Sequence, residues 1–190
     1  MDRLEAIRFR SAPTRIRRNL PVTRDISIRP ATPADFETVA SILARTWRET
    51  YSGIVPDALV AERSNLAWQL DTWREHFADA ASLAGTWLGS LDGEPAGVAL
   101  VRETSGEDAP RPLELKLCYT LAVAYGSGLG HALIDAAIAD RPAWLWMFDG
   151  NDRAEAFYRK HGFQREEPWF TRSWGHLYDG GDYRDIRLVR

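Results

Sequence analysis

One cysteine and four histidines are all that 190 residues offer for thiolate or imidazole chemistry. Cys118 has no second cysteine to form an internal disulfide, and His76, His131, His161 and His176 stand at no spacing that would gather them with it around zinc. No structural metal is expected. Also missing is any run near the roughly 20 apolar residues that a bilayer-crossing helix needs. The opening residues hold no apolar block of the signal-peptide kind. The expectation is a cytoplasmic protein with no membrane partner. No internal repeat is present.

What remains is an ordinary globular composition. A hydrophobic content of 45% in a chain of this length suffices for one substantial core. The net charge of −3 hides an asymmetry, because the first 24 residues carry seven arginines against only Asp2 and Glu5. Clustered arginine neutralises phosphate, so this arm could touch nucleic acid or an anionic membrane; the alternative is a poorly ordered terminus. Phe9 is its one aromatic residue, too few for base stacking. No nucleic-acid partner is expected, and the acidic remainder favours a cationic substrate. The division expected is a basic arm over 1–24 and a single domain over 25–190.

Ile26-Ser27-Ile28-Arg29 alternates as a strand does, and Pro30 closes it. Thr32 as N-cap and Pro33 at the first helical position open a helix that carries Phe36, Val39, Leu43 and Trp47 at helical spacing. The segment 51–56 breaks it, and 66–77 reads as a second helical region. Strands follow at 86–91 and 96–102, joined by Asp92-Gly93-Glu94-Pro95, then a loop over 103–112 and a longer strand over 113–123. A helix begins within 126–130, a buried strand covers 143–148, a helix covers 151–161, and aromatic-rich strands close the chain. Strands and helices in this mixed order imply an α/β or α+β layered fold.

The most informative stretch is Leu121-Ala122-Val123-Ala124-Tyr125-Gly126-Ser127-Gly128-Leu129-Gly130-His131, where a strand runs into a glycine turn and then a helix. Such a turn presents backbone N–H groups at the positive end of a helix and so suits phosphate oxygens. His131 denies it the last glycine of a dinucleotide fingerprint, a P-loop lysine is absent, and Tyr125 and Leu129 break the nucleophile-elbow pattern around Ser127. A ligand-free tight connection remains the alternative for this stretch alone.

Some twenty residues later stands Asn151-Asp152-Arg153-Ala154-Glu155-Ala156-Phe157-Tyr158-Arg159-Lys160-His161-Gly162-Phe163. The glycine turn followed by strand, helix and N-x-x-A-x-x-F-Y-x-K-x-G-F closely resembles the two main acetyl-CoA motifs of the GNAT superfamily of N-acyltransferases. The family pattern Q/R-x-x-G-x-G/A matches 125–130 except that Tyr125 replaces glutamine or arginine; Ala122 also replaces a frequent proline. The resemblance spans roughly 26–190 and implies a central mixed, mostly antiparallel sheet flanked by helices.

It further implies an acetyl group moved from acetyl-CoA to a primary amine by direct attack, with no metal. Gly126, Ser127, Gly128, Leu129, Gly130 and His131 would surround the diphosphate, while Tyr119 and Thr120 offer strand backbone to the pantetheine arm. Asn151 would stand beside that arm, a helix N-cap being its other reading. Tyr158, two helical turns further along the same face, would protonate the departing thiolate. Glu114 is the candidate base, where several members carry a catalytic glutamate; it lies six residues before Thr120, and even spacing would put the two on one sheet face. A solvated strand-start glutamate with water as base is the alternative.

Trp47, Tyr51, Trp68 and Trp73, with Trp169, Phe170, Trp174 and Tyr178, could enclose an ammonium group or could be core. The stretch Trp47-Arg48-Glu49-Thr50-Tyr51-Ser52-Gly53-Ile54-Val55-Pro56 looks like that of bacterial GNAT proteins related to polyamine and other small-amine acetyltransferases, which points to a small cationic amine. Alternatives are acetylation of a peptide or protein N-terminus, or a non-catalytic acyl-CoA sensor. Family members often pair through their C-terminal strands, so a homodimer is compatible with the resemblance.

Overall fold

The computed structural model describes residues 24–167, 171–173 and 183–190; the arginine-rich arm over 1–23 and the aromatic residues Trp169, Phe170, Trp174 and Tyr178 lie outside the described residues. Alternation at the start becomes β1 (Ile26–Pro30), followed by a 3-10 turn at Pro33–Asp35 and then α1 (Phe36–Tyr51). Asp35 fixes this entry. Its carboxylate accepts from the Thr32 amide and hydroxyl at 2.8 Å each and takes a forked contact from Arg29 at 2.6 and 2.7 Å. The guanidinium beside it holds this carboxyl well below the ordinary carboxylate range.

Two short helices that the sequence reading does not contain, α2 (Asp57–Arg63) and α4 (Ala80–Ala84), flank α3 (Leu66–Ala78). Asn65 caps α3 by accepting from the Trp68 amide at 3.1 Å. Then β2 (Thr86–Leu91) and β3 (Glu94–Glu103) form a hairpin around Asp92 and Gly93, both at positive φ (53° and 85°), the backbone that a two-residue turn requires. Next come β4 (Leu113–Thr120), α5 (Leu129–Ala137), β5 (Ala143–Phe148), α6 (Asp152–Lys160), β6 (Gln164–Arg165), β7 (Thr171–Ser173) and β8 (Arg184–Val189). β4 stops three residues short of the expected 123, because a 3-10 turn at Ala122–Ala124 swings the chain toward the glycine loop.

The eight strands form one sheet in the order β1-β2-β3-β4-β5-β8-β6, with β7 also on β8, and among the named pairs only β4 with β5 is parallel. This is the mixed, mostly antiparallel sheet expected. Residues 96–101 of β3 are buried without a break, as a strand covered on both faces must be. α1 and α5 both pack on it. Leu129, Leu133 and Ile134 of α5 are fully buried, each worth about 2 kcal/mol of apolar burial.

Two departures from regular pairing make the site. Leu100 faces Leu117 but Val101 faces Leu115, so Lys116 is an extra residue in β4. That bulge reverses the inward and outward alternation, and the expectation that Glu114 and Thr120 share a face is thereby corrected. β4 and β5, moreover, pair only at Leu113 with Ala143 and Glu114 with Trp144. Beyond those two rungs the strands part.

Candidate functional site

Where β4 and β5 separate, a cavity of about 560 Å³ opens. One wall is β4 from Leu115 to Thr120, another the turn from Ala124 to Gly128, and a third is α6. The turn needs its glycines: Gly126 has φ 74°, and Gly128, the residue before α5, has φ 97°. Ser127 Oγ donates to Ala124 O at 2.7 Å and accepts from the Leu129 amide at 3.2 Å, which satisfies one free N–H of α5. A Cβ on Gly126 would meet nothing within 4 Å, so this stretch of backbone fronts open space. Gly130 answers a different demand, since a Cβ there would lie 3.2 Å from the ring of Phe157 on α6.

Gly126, Ser127, Gly128, Gly130 and His131 thus line the cavity with Tyr119, Thr120, Asn151 and Tyr158. Leu129 does not; its side chain is buried in the core and only its backbone belongs to the turn. Asn151 caps α6, accepting from the Ala154 amide at 3.1 Å, while also standing in the cavity wall.

Tyr158 lies seven residues later. The end of its helix is locked by a pair of bonds, Phe163 N to Tyr158 O and Gly162 N to Arg159 O, both 3.1 Å, with Gly162 at φ 83°. The Tyr158 ring packs edge-on against Phe157 and Phe163, with centroids 5.3 and 5.8 Å apart. Burial, reinforced by nearby Cys118 and Tyr119, pushes its phenol well above the ordinary value. It therefore keeps its proton at neutral pH. Burial likewise pushes the Cys118 thiol up to about 12, so the thiol in the wall is no nucleophile.

Past Tyr158 the walls become aromatic. Tyr51 and Tyr119 hydroxyls are 3.0 Å apart, and Tyr51 packs on Trp47 and Phe148 with centroids at 4.4 and 5.2 Å. Burial raises both phenols, and the buried carboxylate of Asp185 acts in the same direction on each. Trp68 and Trp73 belong elsewhere: Arg63 stacks over Trp68, and Trp73 packs on Phe77 and His76.

Glu114 is not part of this assembly. It is 2% exposed at the closed end of the cleft, where Arg102 Nε donates to it at 2.7 Å and Lys116 Nζ at 3.3 Å, and it does not line the cavity. Three features escaped the sequence reading. Arg153 sits over the ring of Tyr125, Tyr51 meets Tyr119, and His131 Nδ1 lies 2.8 Å from His161 Nε2. Arg153 carried the only available signal, two positions beyond Asn151 in the second motif.

Comparison with known proteins bears on the same region. The model of the acetyltransferase (GNAT) family matches residues 39–163. A probable N-acetyltransferase of Mycobacterium tuberculosis is 26% identical over 155 residues, covering 77% of this chain and 84% of that protein. Among solved structures, the PaiA N-acetyltransferase of Thermoplasma acidophilum in complex with coenzyme A superposes with a TM-score of 0.62 at 18% identity, over 87% of this chain and 98% of that one. Naa50 of Arabidopsis thaliana, in complex with a bisubstrate analogue, gives 0.56 at 16% identity, over 87% and 97%. At these identities the superpositions speak for the fold.

Proposed function

The chain belongs to the GNAT acetyltransferase family, and from that premise we propose that it transfers an acetyl group from acetyl-CoA to the primary amine of a small cationic molecule. One observation carries the proposal: a single cavity joins the positive-φ glycine turn, the freed edge of β4 and the buried phenol of Tyr158. The residues fit the coenzyme. The amides of 126–131 suit a diphosphate, the edge that β4 exposes beyond Glu114 suits the amide groups of pantetheine, and Asn151 stands beside it.

Acetyl-CoA supplies, when bound, an acetyl thioester open to attack by an amine. Tyr158 holds its proton on Oη until thiolate character develops on the leaving sulfur, and donates it there. A backbone N–H of β4 near Thr120 would be the donor to the oxygen that gains charge. Glu114, anchored by Arg102 and Lys116 outside the cavity, takes no proton from the amine. The raised phenols of Tyr51 and Tyr119 stay neutral as well, and we assign removal of the ammonium proton to water. The rings and hydroxyls of Tyr51 and Tyr119, which line the cavity with Trp47 and Phe148 packed behind Tyr51, favour a compact cation at the acceptor end.

The test is release of free thiol from acetyl-CoA in the presence of polyamines, arylalkylamines, amino acids and short peptides. A small diamine or arylalkylamine turned over far better than any peptide is the expected result. Preference for peptides would overturn the acceptor assignment, and coenzyme binding without turnover of any amine would overturn the enzymatic one.

A further inference from the structure

The glycine turn offers a diphosphate only neutral donors. Ser127 has its hydroxyl committed within the turn, and the residue that opens it, Tyr125, stands where the family pattern has glutamine or arginine. A phosphate anion in a partly enclosed cavity binds far better with a cation in contact.

That cation comes from another element. The guanidinium carbon of Arg153, in the first turn of α6, lies 3.8 Å from the centre of the Tyr125 ring, and its Nη2 donates to the Tyr125 hydroxyl at 2.8 Å. Thr50 Oγ1 stands 3.4 Å from the same hydroxyl, so Tyr125 is held from both sides of the cavity mouth. Stacking leaves the edge of the guanidinium free, and only one of its five N–H groups is used on Tyr125. Arg153 makes no ion pair among the described residues. The other nitrogen-bearing basic side chains in the cavity wall are placed differently: Lys116 is on Glu114, the His131 ring is on His161, and Lys160 is seven residues further along α6.

We propose that Arg153, seated on the ring of Tyr125, is the side-chain cation of the coenzyme site and takes the diphosphate oxygens in a forked contact. It rests on the coenzyme reading above and adds to it a ligand for the phosphates. Tyr125 is then a positioning residue: its ring supplies the platform that keeps the guanidinium beside Gly126.

Calorimetry on the full chain with coenzyme A, and ligand-observed NMR with pantetheine, which lacks the phosphates, decide the matter. In Arg153→Gln the Kd for coenzyme A should rise about tenfold, as loss of a charged hydrogen-bonding group implies, and Arg153→Lys should recover part of it. Pantetheine binding and the Tm of the free protein should stay as they were. An unchanged Kd for coenzyme A overturns the proposal, as does an equal loss for pantetheine, which would make Arg153 a strap that shapes the cavity. Failure of the unaltered protein to bind coenzyme A would overturn the coenzyme reading itself.

Discussion

Arg102 Nε lies 2.7 Å from Glu114 Oε2, in register across the β3 and β4 ladder at the last rungs before β4 leaves β5. A carboxylate buried to 2% with two cations on it is an anchor for the strand end. Glu114→Gln should lower stability by about 1.5–3 kcal/mol, the usual range for a hydrogen bond to a charged group. The pH profile of kcat/KM should not move. A profile whose lower limb vanished in Glu114→Gln would restore the carboxylate as base.

With water as the proton acceptor, kcat/KM should climb with pH until the acceptor amine is itself neutral, following that amine's own pKa. Comparing two acceptors whose pKa values differ by about 2 units should displace the profile by the same amount. One limb shared by both acceptors would instead reveal an enzyme group.

Tyr158→Phe keeps the ring packed between Phe157 and Phe163 and removes only the proton donor. The loss in kcat should be about 10²-fold or more, with coenzyme affinity and Tm little changed. A kcat within about threefold of the unaltered enzyme would end the general-acid assignment.

Glycine at 128 is required by a φ of 97°, and glycine at 93 by a φ of 85° in a hairpin remote from the cavity. Each Gly→Ala change should destabilise the fold by about 1–2 kcal/mol through backbone strain. Only Gly128→Ala should also weaken coenzyme binding. Equal binding losses in both variants would trace the effect to general destabilisation.

His161 beside His131 predicts a stability loss in mild acid. Burial first, then the neighbouring His131, lowers the His161 pKa from 6.5. Below about pH 6.5 the unfolded chain takes up a proton that the folded chain resists, so stability falls as pH falls through that window. His161→Gln should show a smaller drop in Tm between about pH 7.5 and 5.5 than the unaltered protein. His76, lowered by its own burial, will leave a residual slope.

What was legible in the sequence was local. Positive-φ glycines, the Asn151 cap and the spacing from Asn151 to Tyr158 are properties of a few adjacent residues, and the glycine turn and α6 stand where those signals put them. The bulge at Lys116 is a relation between two strands, and no pattern within β4 alone announces it. The same holds for Tyr51 and Tyr119, 68 residues apart, and for Tyr125 with Arg153. Helices of seven and five residues, α2 and α4, are too short to show a 3.6-residue period.

The most direct measurement is calorimetric titration of the folded 190-residue chain with acetyl-CoA, alone and after Gly128→Ala. Saturable binding of one molecule per chain, weakened by that single methyl group at the turn, is the result expected. Absence of any heat up to about millimolar coenzyme, the range of an affinity near −4 kcal/mol, would contradict the claim that the cleft between β4 and β5 is an acyl-coenzyme site.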